Sequence, residues 1–395
     1  MVLDRHARPI QKGERGGQMR IAAESTIAAC ERALRELAAS EPLEPLQLPK
    51  NIRYLAGGAE AALTQVIVSW AQRKPGARLE TFLSSDDQVS DFVRRLSGIV
   101  AGLSASQAVG RSGISILAEL QLAALSRLER LQGDRPKIGY RGSSVEIVCA
   151  DHLGRGAPYL LYLPNPSDEP QLRPRENFRD LAHWLLRRTI PREYQHLFDT
   201  EAPDAIGGML FEIFKNTEDH ALVDASGDLL DVSIRAIKTN HIAATPESLE
   251  RVAESFPPLA TFSSSLRPPR DAAQTHLFEL SVLDSGPGFA TTWTKTPLHQ
   301  LSIDQEERAV RECFGRGSAK GESRFGEGLP HVLRLLRRQR GFLRLRTGRL
   351  SLHADFSGPT DGDEDSPLTR YVPENASELA PVSGSLLTIL IPMRR

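Results

Sequence analysis

The sequence predicts a mixed α/β protein in two parts, joined near residues 133–136. Three observations indicate this fold class. Segments with apolar residues at helical spacing alternate with short runs that are typical of strands. Gly and Pro separate these runs and mark the turns between them. The chain has 395 residues, 40% hydrophobic and 25% charged, which is enough for two or three domains with sizeable cores.

The N-terminal part is predicted to be an arm followed by a small α/β domain. Residues 1–20 are rich in Arg and Gly, so we expect a flexible arm there. Residues 21–133 form an N-terminal α/β domain whose role the sequence does not indicate. Helices are predicted over 21–39, 58–73 and 87–102, and extended segments over 43–54 and 78–83. Their order is faintly similar to that of a STAS-type regulatory domain, and a packing or partner-binding domain is the alternative.

The C-terminal part, residues 137–395, predicts further strands and helices. The strands are expected over 144–150, 159–163, 230–237, 277–283 and 384–392, and the helices over 176–188 and 210–220. Polar insertions are expected at about 240–272 and 357–382. The second insertion carries several carboxylates, and we interpret it as an acidic surface loop because it lacks the spacing of a calcium-binding EF-hand.

The helix predicted over residues 210–220 carries polar groups of the kind that catalysis uses. Its apolar side comprises Leu210, Ile213, Phe214 and Thr217, and its polar side comprises Glu212, Asn216, Asp219 and His220. A carboxylate and an amide one helical turn apart can hold a water and a divalent cation side by side. Taken alone, the segment is better explained as a solvated amphipathic helix.

Two later glycine-rich segments favour a binding site instead. The sequence Asp284-Ser-Gly-Pro-Gly288 follows an apolar strand, and its glycines allow a tight turn close to a ligand. Gly326 and Gly328 open a helix with apolar periodicity, so free backbone N–H groups would point at whatever lies in front of them. A helix start of this kind is typical of a phosphate site.

In this order, and with the strand-rich end at 384–392, the three segments resemble the GHKL superfamily of ATPases. That superfamily includes gyrase B, the large heat-shock chaperone, MutL and the ATPase domains of histidine kinases. Residues 212–216 are similar to its N-box, 284–288 to its first glycine box and 326–329 to its second. The resemblance covers residues 137–395 and implies a two-layer α/β sandwich of the GHKL (Bergerat) type.

The resemblance also implies a ligand, ATP with Mg²⁺, and a role for each matching residue. Glu212 would orient and deprotonate the attacking group, and Asn216 would coordinate a Mg²⁺ that bridges the phosphates. Asp284 would accept a hydrogen bond from the adenine amino group. The base and phosphates would further contact the backbone of Gly286, Gly288, Gly326, Gly328 and Leu329.

The segment between the glycine boxes, residues 313–325, predicts a mobile lid because its glycines and serines offer little to a core. Ser318 and Lys320 are candidates for phosphate contacts, and solvated loop residues are the equal alternative. The sequence lacks the Gly-x-x-x-x-Gly-Lys-[Ser/Thr] motif, which excludes a P-loop enzyme.

Composition limits the partners. The formal net charge of −1 does not support nucleic acid as a partner. Seven arginines crowd residues 334–349, which we interpret as a solvated basic face, with a nucleic-acid or acidic-partner surface as the alternative. Three scattered cysteines suit a reducing compartment, and neither an apolar leader nor a run of 18 apolar residues is present. A cytoplasmic protein without membrane contact is therefore expected.

Three functions remain open at this point. The first is ATP hydrolysis that drives a lid or a switch with a protein partner or within a homodimer. The second is a protein serine kinase or a histidine kinase-like module. His183 is the best candidate for a phosphoacceptor, yet the acid that should follow it is missing, so a structural role is preferred. The third is a nucleotide sensor that does not hydrolyse ATP. Glu212 favours catalysis over sensing.

Overall fold

The computed structural model describes residues 19–40, 45–73, 76, 78–84, 86–134, 136, 144–164, 170–198, 200–266, 274–315, 328–358, 367–374 and 376–393. Residues 1–18 of the predicted arm lie outside the described residues, whereas Met19 and Arg20 form the first strand. Residues 316–325 of the predicted lid also lie outside them.

The N-terminal part alternates short strands with helices. Its strands are β1 (Met19–Arg20), β2 (Glu24–Ser25), β3 (Leu46–Leu48), β4 (Arg53–Tyr54), β5 (Arg78–Thr81) and β6 (Gln107–Val109). Its helices are α1 (Ile27–Ala39), α2 (Ala59–Arg73), α3 (Asp86–Phe92), α4 (Leu96–Ser104) and α5 (Leu117–Gln132). Strands β1, β3, β5 and β6 form a parallel sheet in that order, because helices connect them.

The helix predicted over residues 87–102 is divided into α3 and α4. The backbone N–H of Leu96, at the start of α4, donates to Oε1 of Glu60 at 2.8 Å. A side chain from α2 thus accepts from one of the free N–H groups at the start of α4. This contact fixes the start of α4 and so separates α4 from α3. This contact joins residues 36 positions apart, so local periodicity does not reveal it.

The C-terminal part is built on an antiparallel sheet. Its strands are β7 (Val145–Ala150), β8 (Tyr162–Leu163), β9 (Gln171–Leu172), β10 (Ile234–Ala244), β11 (Thr275–Asp284), β12 (Phe342–Gly348), β13 (Leu350–Asp355), β14 (Thr369–Arg370) and β15 (Val382–Pro392). Its helices are α6 (Arg175–Thr189), α7 (Ala202–His220), α8 (Pro246–Ser255), α9 (Leu259–Ser265), α10 (Phe289–Thr294), α11 (Ile303–Phe314) and α12 (Gly328–Arg338). The sheet has the order β14-β13-β12-β15-β11-β10-β7, and β8 pairs with β9 separately. A mixed α/β fold with parallel and antiparallel sheets is thereby confirmed.

The two faces of this sheet are covered by different parts of the chain. Helices α6, α7 and α12 cover one face, where alternate strand residues such as Ile237, Leu280 and Ile389 are buried against them. The N-terminal part covers the other face together with α8 and α9, and α2 packs directly on β15. Ala236 and Leu386 share an apolar cluster with the N-terminal helices. The sheet is therefore the central layer, with the helices α6, α7 and α12 on one face and the N-terminal part on the other.

The predicted polar insertion at 240–272 is wrong over residues 240–265, and residues 267–272 lie outside the described residues. β10 continues to Ala244, and α8 and α9 follow with an apolar side of their own. Leu249, Phe256 and Phe262 are at most 7% exposed and pack on the sheet beside α1. Charged residues on the outer side of α8 lower the average hydrophobicity, which concealed the helix.

The interpretation of residues 334–349 as a solvated basic face is wrong for two of its arginines. Arg344 and Arg346 lie on β12 and are 3% and 1% exposed. Both pair with Glu31 of α1, at 3.2 Å and 2.9 Å. The alternation that places Leu343 and Leu345 toward the helices sends the arginines to the opposite face, where the N-terminal part supplies a carboxylate.

Among the helices that the structure describes, none is both long and apolar enough to span a lipid bilayer.

Candidate functional site

α7 carries Glu212 and Asn216 and is held in place by its apolar side. The four residues of that side are at most 4% exposed, as predicted: Leu210, Ile213, Phe214 and Thr217. Nδ2 of Asn216 donates to the carbonyl oxygen of Glu212 at 2.9 Å. Because the amide nitrogen is used within the helix, the amide oxygen is the group that Asn216 can offer to a ligand.

A narrow cavity lies between α7, the end of β11 and α10. Three of the predicted residues line it together: Asn216, Asp284 and Gly288. Its other lining residues are Ile213, Thr217, His220, Ala221, Val282, Phe289, Thr292, Ser385 and Leu387. The volume is about 40 Å³, room for about three water molecules. A planar base would enter only if the walls part by a few ångströms.

Asp284 is the acidic group of this cavity. It ends β11, and its Oδ1 accepts from the backbone N–H of Gly286 at 2.9 Å. Burial raises its pKa from 3.8 to about 6, while the N–H groups of Gly286 and Ser385 and the charge of Arg235 act in the opposite direction. A carboxylate kept in a cavity at such a cost is a candidate for function, because packing alone would favour a neutral residue.

The first glycine segment closes the end of the cavity through its backbone. A Cβ at position 286 would lie 2.7 Å from Cα of Ala221, so only glycine lets this turn approach the end of α7. The carbonyl of Gly286 accepts from the N–H of Gly384 at 2.7 Å, which ties the turn to the start of β15. Gly288, at φ 84°, precedes α10.

Glu212 lies near the start of α12 and does not line the narrow cavity at Asp284. A Cβ at position 328 would be 2.7 Å from Oε2 of Glu212, so Gly328 permits close approach of the two segments. Oε1 of Glu212 forms an ion pair with Nη1 of Arg175 at 3.0 Å. Leu329 is 6% exposed and belongs to the core. The structure thus brings the predicted N-box and the second glycine segment together.

The remaining predicted phosphate contacts, Ser318, Lys320 and Gly326, lie outside the described residues. No group of three or more His, Cys, Asp or Glu side chains in the described part of the chain is placed to hold a metal ion. A cation at Asn216 would take most of its ligands from phosphate oxygens and water, as Mg²⁺ commonly does. The amide oxygen of Asn216 is compatible with that role.

An open cleft of about 490 Å³ lies next to Glu212 between α6, α7 and α12. Its lining residues are Arg175, Arg179, Glu201, Asp204, Ala205, Gly208, His331, Leu335, Arg338 and Gln339. Arg175 belongs to both this cleft and the ion pair with Glu212. Anything bound in the cleft would therefore be close to the candidate catalytic carboxylate.

Sequence reasoning missed two contributors to the site. Arg175 begins α6, a helix without a motif, and only its distance to Glu212 reveals it. Gln72 of α2 donates to the carbonyl oxygen of Ser285, directly behind Asp284. An isolated Arg and an isolated Gln have no local pattern, so neither carries a signal in one sequence.

Compared with known proteins, the chain matches no family model and no curated protein sequence. What the site binds has to be inferred from its own residues.

Proposed function

We propose that the C-terminal part binds ATP with Mg²⁺ and hydrolyses it, in a two-layer α/β sandwich of the GHKL (Bergerat) type. One observation carries the proposal: Asn216 and Asp284 line one cavity, and Glu212, one turn from Asn216, contacts Gly328. Residues 216 and 284 are 68 positions apart and residues 212 and 328 are 116 positions apart. These three segments thus meet along the C-terminal half of α7. The supporting resemblance places the base, the cation and the phosphates in that same order.

The base would occupy the cavity at Asp284. Its ionised carboxylate accepts hydrogen bonds only, and the adenine amino group is a donor. Guanine presents a carbonyl at the corresponding position, so acceptor would face acceptor at a cost on the order of 1–3 kcal/mol. Phe289 and Thr292 of α10 line this cavity, which would have to widen for the ring to enter. We therefore expect preference for ATP over GTP.

The phosphates would lie between Asn216 and the start of α12. Asn216 would hold Mg²⁺ through its amide oxygen, and the cation would supply positive charge that offsets the charge of the phosphates. The first backbone N–H groups of α12, an 11-residue helix, lack partners within the helix and favour negative charge nearby. Gly328 leaves room for this approach because it carries no side chain.

Glu212 would activate the attacking water. It accepts a proton from the water while the water oxygen bonds to the terminal phosphorus and the bond to the bridging oxygen breaks. Arg175 holds the carboxylate from the side of the cleft and so limits its orientations. A positioned carboxylate of this kind contributes roughly 10²–10⁴-fold to a rate.

The cleft beside Glu212 favours one alternative, a protein kinase. A serine side chain entering between α6 and α12 would reach Glu212 in place of water, and the same carboxylate would take its proton. His183 lies on α6 inside the ATP-binding part, half-buried, so a separate dimerising helix is not its setting. The serine kinase is accordingly the preferred form of this alternative.

One experiment tests the proposal. Purified protein is incubated with ATP labelled at the terminal phosphate, with Mg²⁺ or with a chelator, alone and with candidate partner proteins. Free phosphate that requires Mg²⁺ is the expected product. Label transferred to a protein would replace hydrolysis by the kinase. Mg²⁺-dependent binding without either product would leave a sensor, and the absence of ATP binding would refute the proposal.

A further inference from the structure

Three polar residues of α2 form a stripe that faces the seven-stranded sheet, and two of them are buried while Gln72 is partly buried. They are Gln65, Ser69 and Gln72, spaced by four and three residues, which places them on one side of the helix. We call them the α2 polar stripe. The residues between them, such as Val66 and Trp70, belong to the apolar cluster of the N-terminal part. Polar groups in such surroundings are costly unless they are hydrogen-bonded, so their partners are informative.

Gln72 contacts the backbone next to the base cavity, on the side of the N-terminal part. Its Nε2 donates to the carbonyl oxygens of Val232 at 2.8 Å and of Ser285 at 2.9 Å. Ser285 directly follows Asp284, and its Oγ accepts from the N–H of Ile234 at 2.8 Å. The peptide group between Ser285 and Gly286 is therefore held by a residue of the N-terminal part, and the N–H of this same peptide donates to Oδ1 of Asp284.

Ser69 and Gln65 hold the second segment of the cavity. Oγ of Ser69 accepts from the N–H of Ser383 at 2.9 Å, and Nε2 of Gln65 donates to the carbonyl oxygens of Arg346 at 3.1 Å and Ser383 at 3.4 Å. Ser383 precedes Ser385, which lines the cavity, by two residues. The stripe thus contacts the backbone on both sides of the base position.

The contact between Gln72 and Ser285 lies just beyond the end of the sheet ladder. β11 ends at Asp284, so the carbonyl of Ser285 lies beyond its last ladder position, which pairs Asp284 with Ser385. A buried carbonyl without a donor costs about 1–3 kcal/mol. The amide of Gln72 supplies that donor, and an apolar side chain of the same size would pack but would release the turn.

We propose that Gln72 is a positioning residue for base recognition, which makes the N-terminal part a component of the nucleotide site. Gln72 acts through the Ser285 carbonyl and sets where the Asp284 carboxylate stands. This inference rests on the function proposed above. Because coupling is reciprocal, nucleotide binding would in turn change the affinity of the N-terminal part for any partner that displaces α2.

The test compares two glutamines in equivalent situations. Gln132 of α5 also donates through Nε2 to two carbonyl oxygens of the C-terminal part, Val148 at 2.9 Å and Arg155 at 2.7 Å, away from the cavity. Gln72→Met and Gln132→Met each remove a donor and keep the length of the side chain. Calorimetry gives the dissociation constants of ATP and GTP, and steady-state kinetics gives kcat and KM.

The expected result separates the two variants. Q72M should weaken ATP binding about tenfold and lower the ATP-to-GTP preference, because it loses the hydrogen bond to the peptide group whose N–H donates to Asp284. Its kcat at saturating ATP should stay within about twofold, since Glu212 is not displaced. Q132M should lose about as much thermal stability as Q72M does, and it should keep its affinities for ATP and GTP.

Each contrary outcome has a distinct meaning. Wild-type protein that binds ATP, together with Q72M of unchanged affinity and preference, would overturn the positioning role alone. Equal losses of affinity in Q72M and Q132M would overturn it as well, since they reflect stability. If wild-type protein binds no ATP, both proposals fail. Should Q72M not fold, Ser69→Ala carries the same expectation with a loss of about threefold.

Discussion

The two faces of the seven-stranded sheet differ in the charged side chains that are buried against them. On the helix side, the core is mostly apolar, although the buried Arg235 pairs there with Asp151 and Glu218. The candidate catalytic groups lie on the polar side of α7. On the side of the N-terminal part, charged residues are buried in the contact itself. Lys238, 1% exposed, pairs with Glu60 at 2.9 Å and with Glu146 at 2.6 Å. Arg346 pairs with Glu31 in the same layer.

This difference indicates that the buried charges fix the N-terminal part in one orientation on the sheet. Burial alone would lower the pKa of Lys238, but Glu146 and Glu60 outweigh it and raise the pKa above its usual value. The carboxylate of Glu279 accepts from the N–H groups of Gly57 and Gly58, both at 2.8 Å. Such groups have few alternative partners, so a shifted docking would leave charges unpaired.

The largest expected effect concerns the two polar residues of α7, Glu212 and Asn216. Glu212→Gln should keep ATP affinity and lose turnover by roughly 10²–10⁴-fold, because the amide cannot take the proton. Phosphate release under saturating ATP measures the change. Asn216→Ala should instead weaken Mg²⁺-dependent binding itself, since it removes the cation ligand.

This contrast has a clear failure. The two residues are neighbours on one helix, so a general disturbance of α7 would affect both variants alike. Normal turnover in E212Q, or identical losses of affinity in both variants, would contradict the separate roles of carboxylate and amide.

The second effect concerns the buried charges on the other face. Lys238→Met removes the cation that lies between Glu60 and Glu146, and leaves Glu146 with the longer ion pair to Arg127 at 3.6 Å. We expect a loss of about 3–5 kcal/mol in the free energy of unfolding. Lys215→Met is the matched control, because Lys215 pairs with Asp219 at 2.7 Å on the exposed side of α7. An exposed helical pair of this kind contributes about 0.5 kcal/mol or less. Urea denaturation measures both.

Comparable losses in K238M and K215M would remove the distinction between the two faces. If the double variant K238M with Glu60→Gln recovers part of the stability, the loss in K238M arises from the unpaired carboxylates and not from packing.

Local patterns predicted those parts of the fold that follow from one element at a time. The apolar side of α7, the strand that ends at Asp284 and the helix after Gly328 each have a periodicity or a glycine signature. The docking of the N-terminal part on the sheet was not predicted. Its contacts join residues as far apart as Glu31 and Arg346, and a charged residue in a strand is read as exposed until its partner is known.

The candidate site shows the same limit. Asn216 and Asp284 were predicted from motifs and line one cavity, whereas Arg175 and Gln72 act through single long-range contacts. A motif identifies residues that touch a ligand, because ligand chemistry restricts them. Residues that hold those contacts in place are restricted only by geometry, which one sequence does not display.

The smallest expected effect concerns Asp284, the last residue of β11. Its pKa of about 6 lies above the 3.8 of the unfolded chain, so the folded state binds the proton more tightly and stability falls as pH rises from about 4 to 6. At neutral pH this costs on the order of 3 kcal/mol. Asp284→Asn should therefore raise the thermal midpoint at pH 7 and show no gain near pH 4.

Nucleotide binding should show the opposite preference at Asp284. ATP affinity in the wild type should fall by about tenfold as pH drops from 7 to 5, because the protonated carboxyl is a poorer acceptor for the adenine amino group. His220 also lines the cavity, and burial lowers its pKa, so its titration has to be separated. Asp284→Asn provides that separation: it should bind ATP about tenfold more weakly at pH 7 and lose this part of the pH dependence. Calorimetry at several pH values, with wild type and variant side by side, makes the measurement. A variant that binds ATP as tightly as the wild type and with the same pH profile would mean that Asp284 does not contact the base.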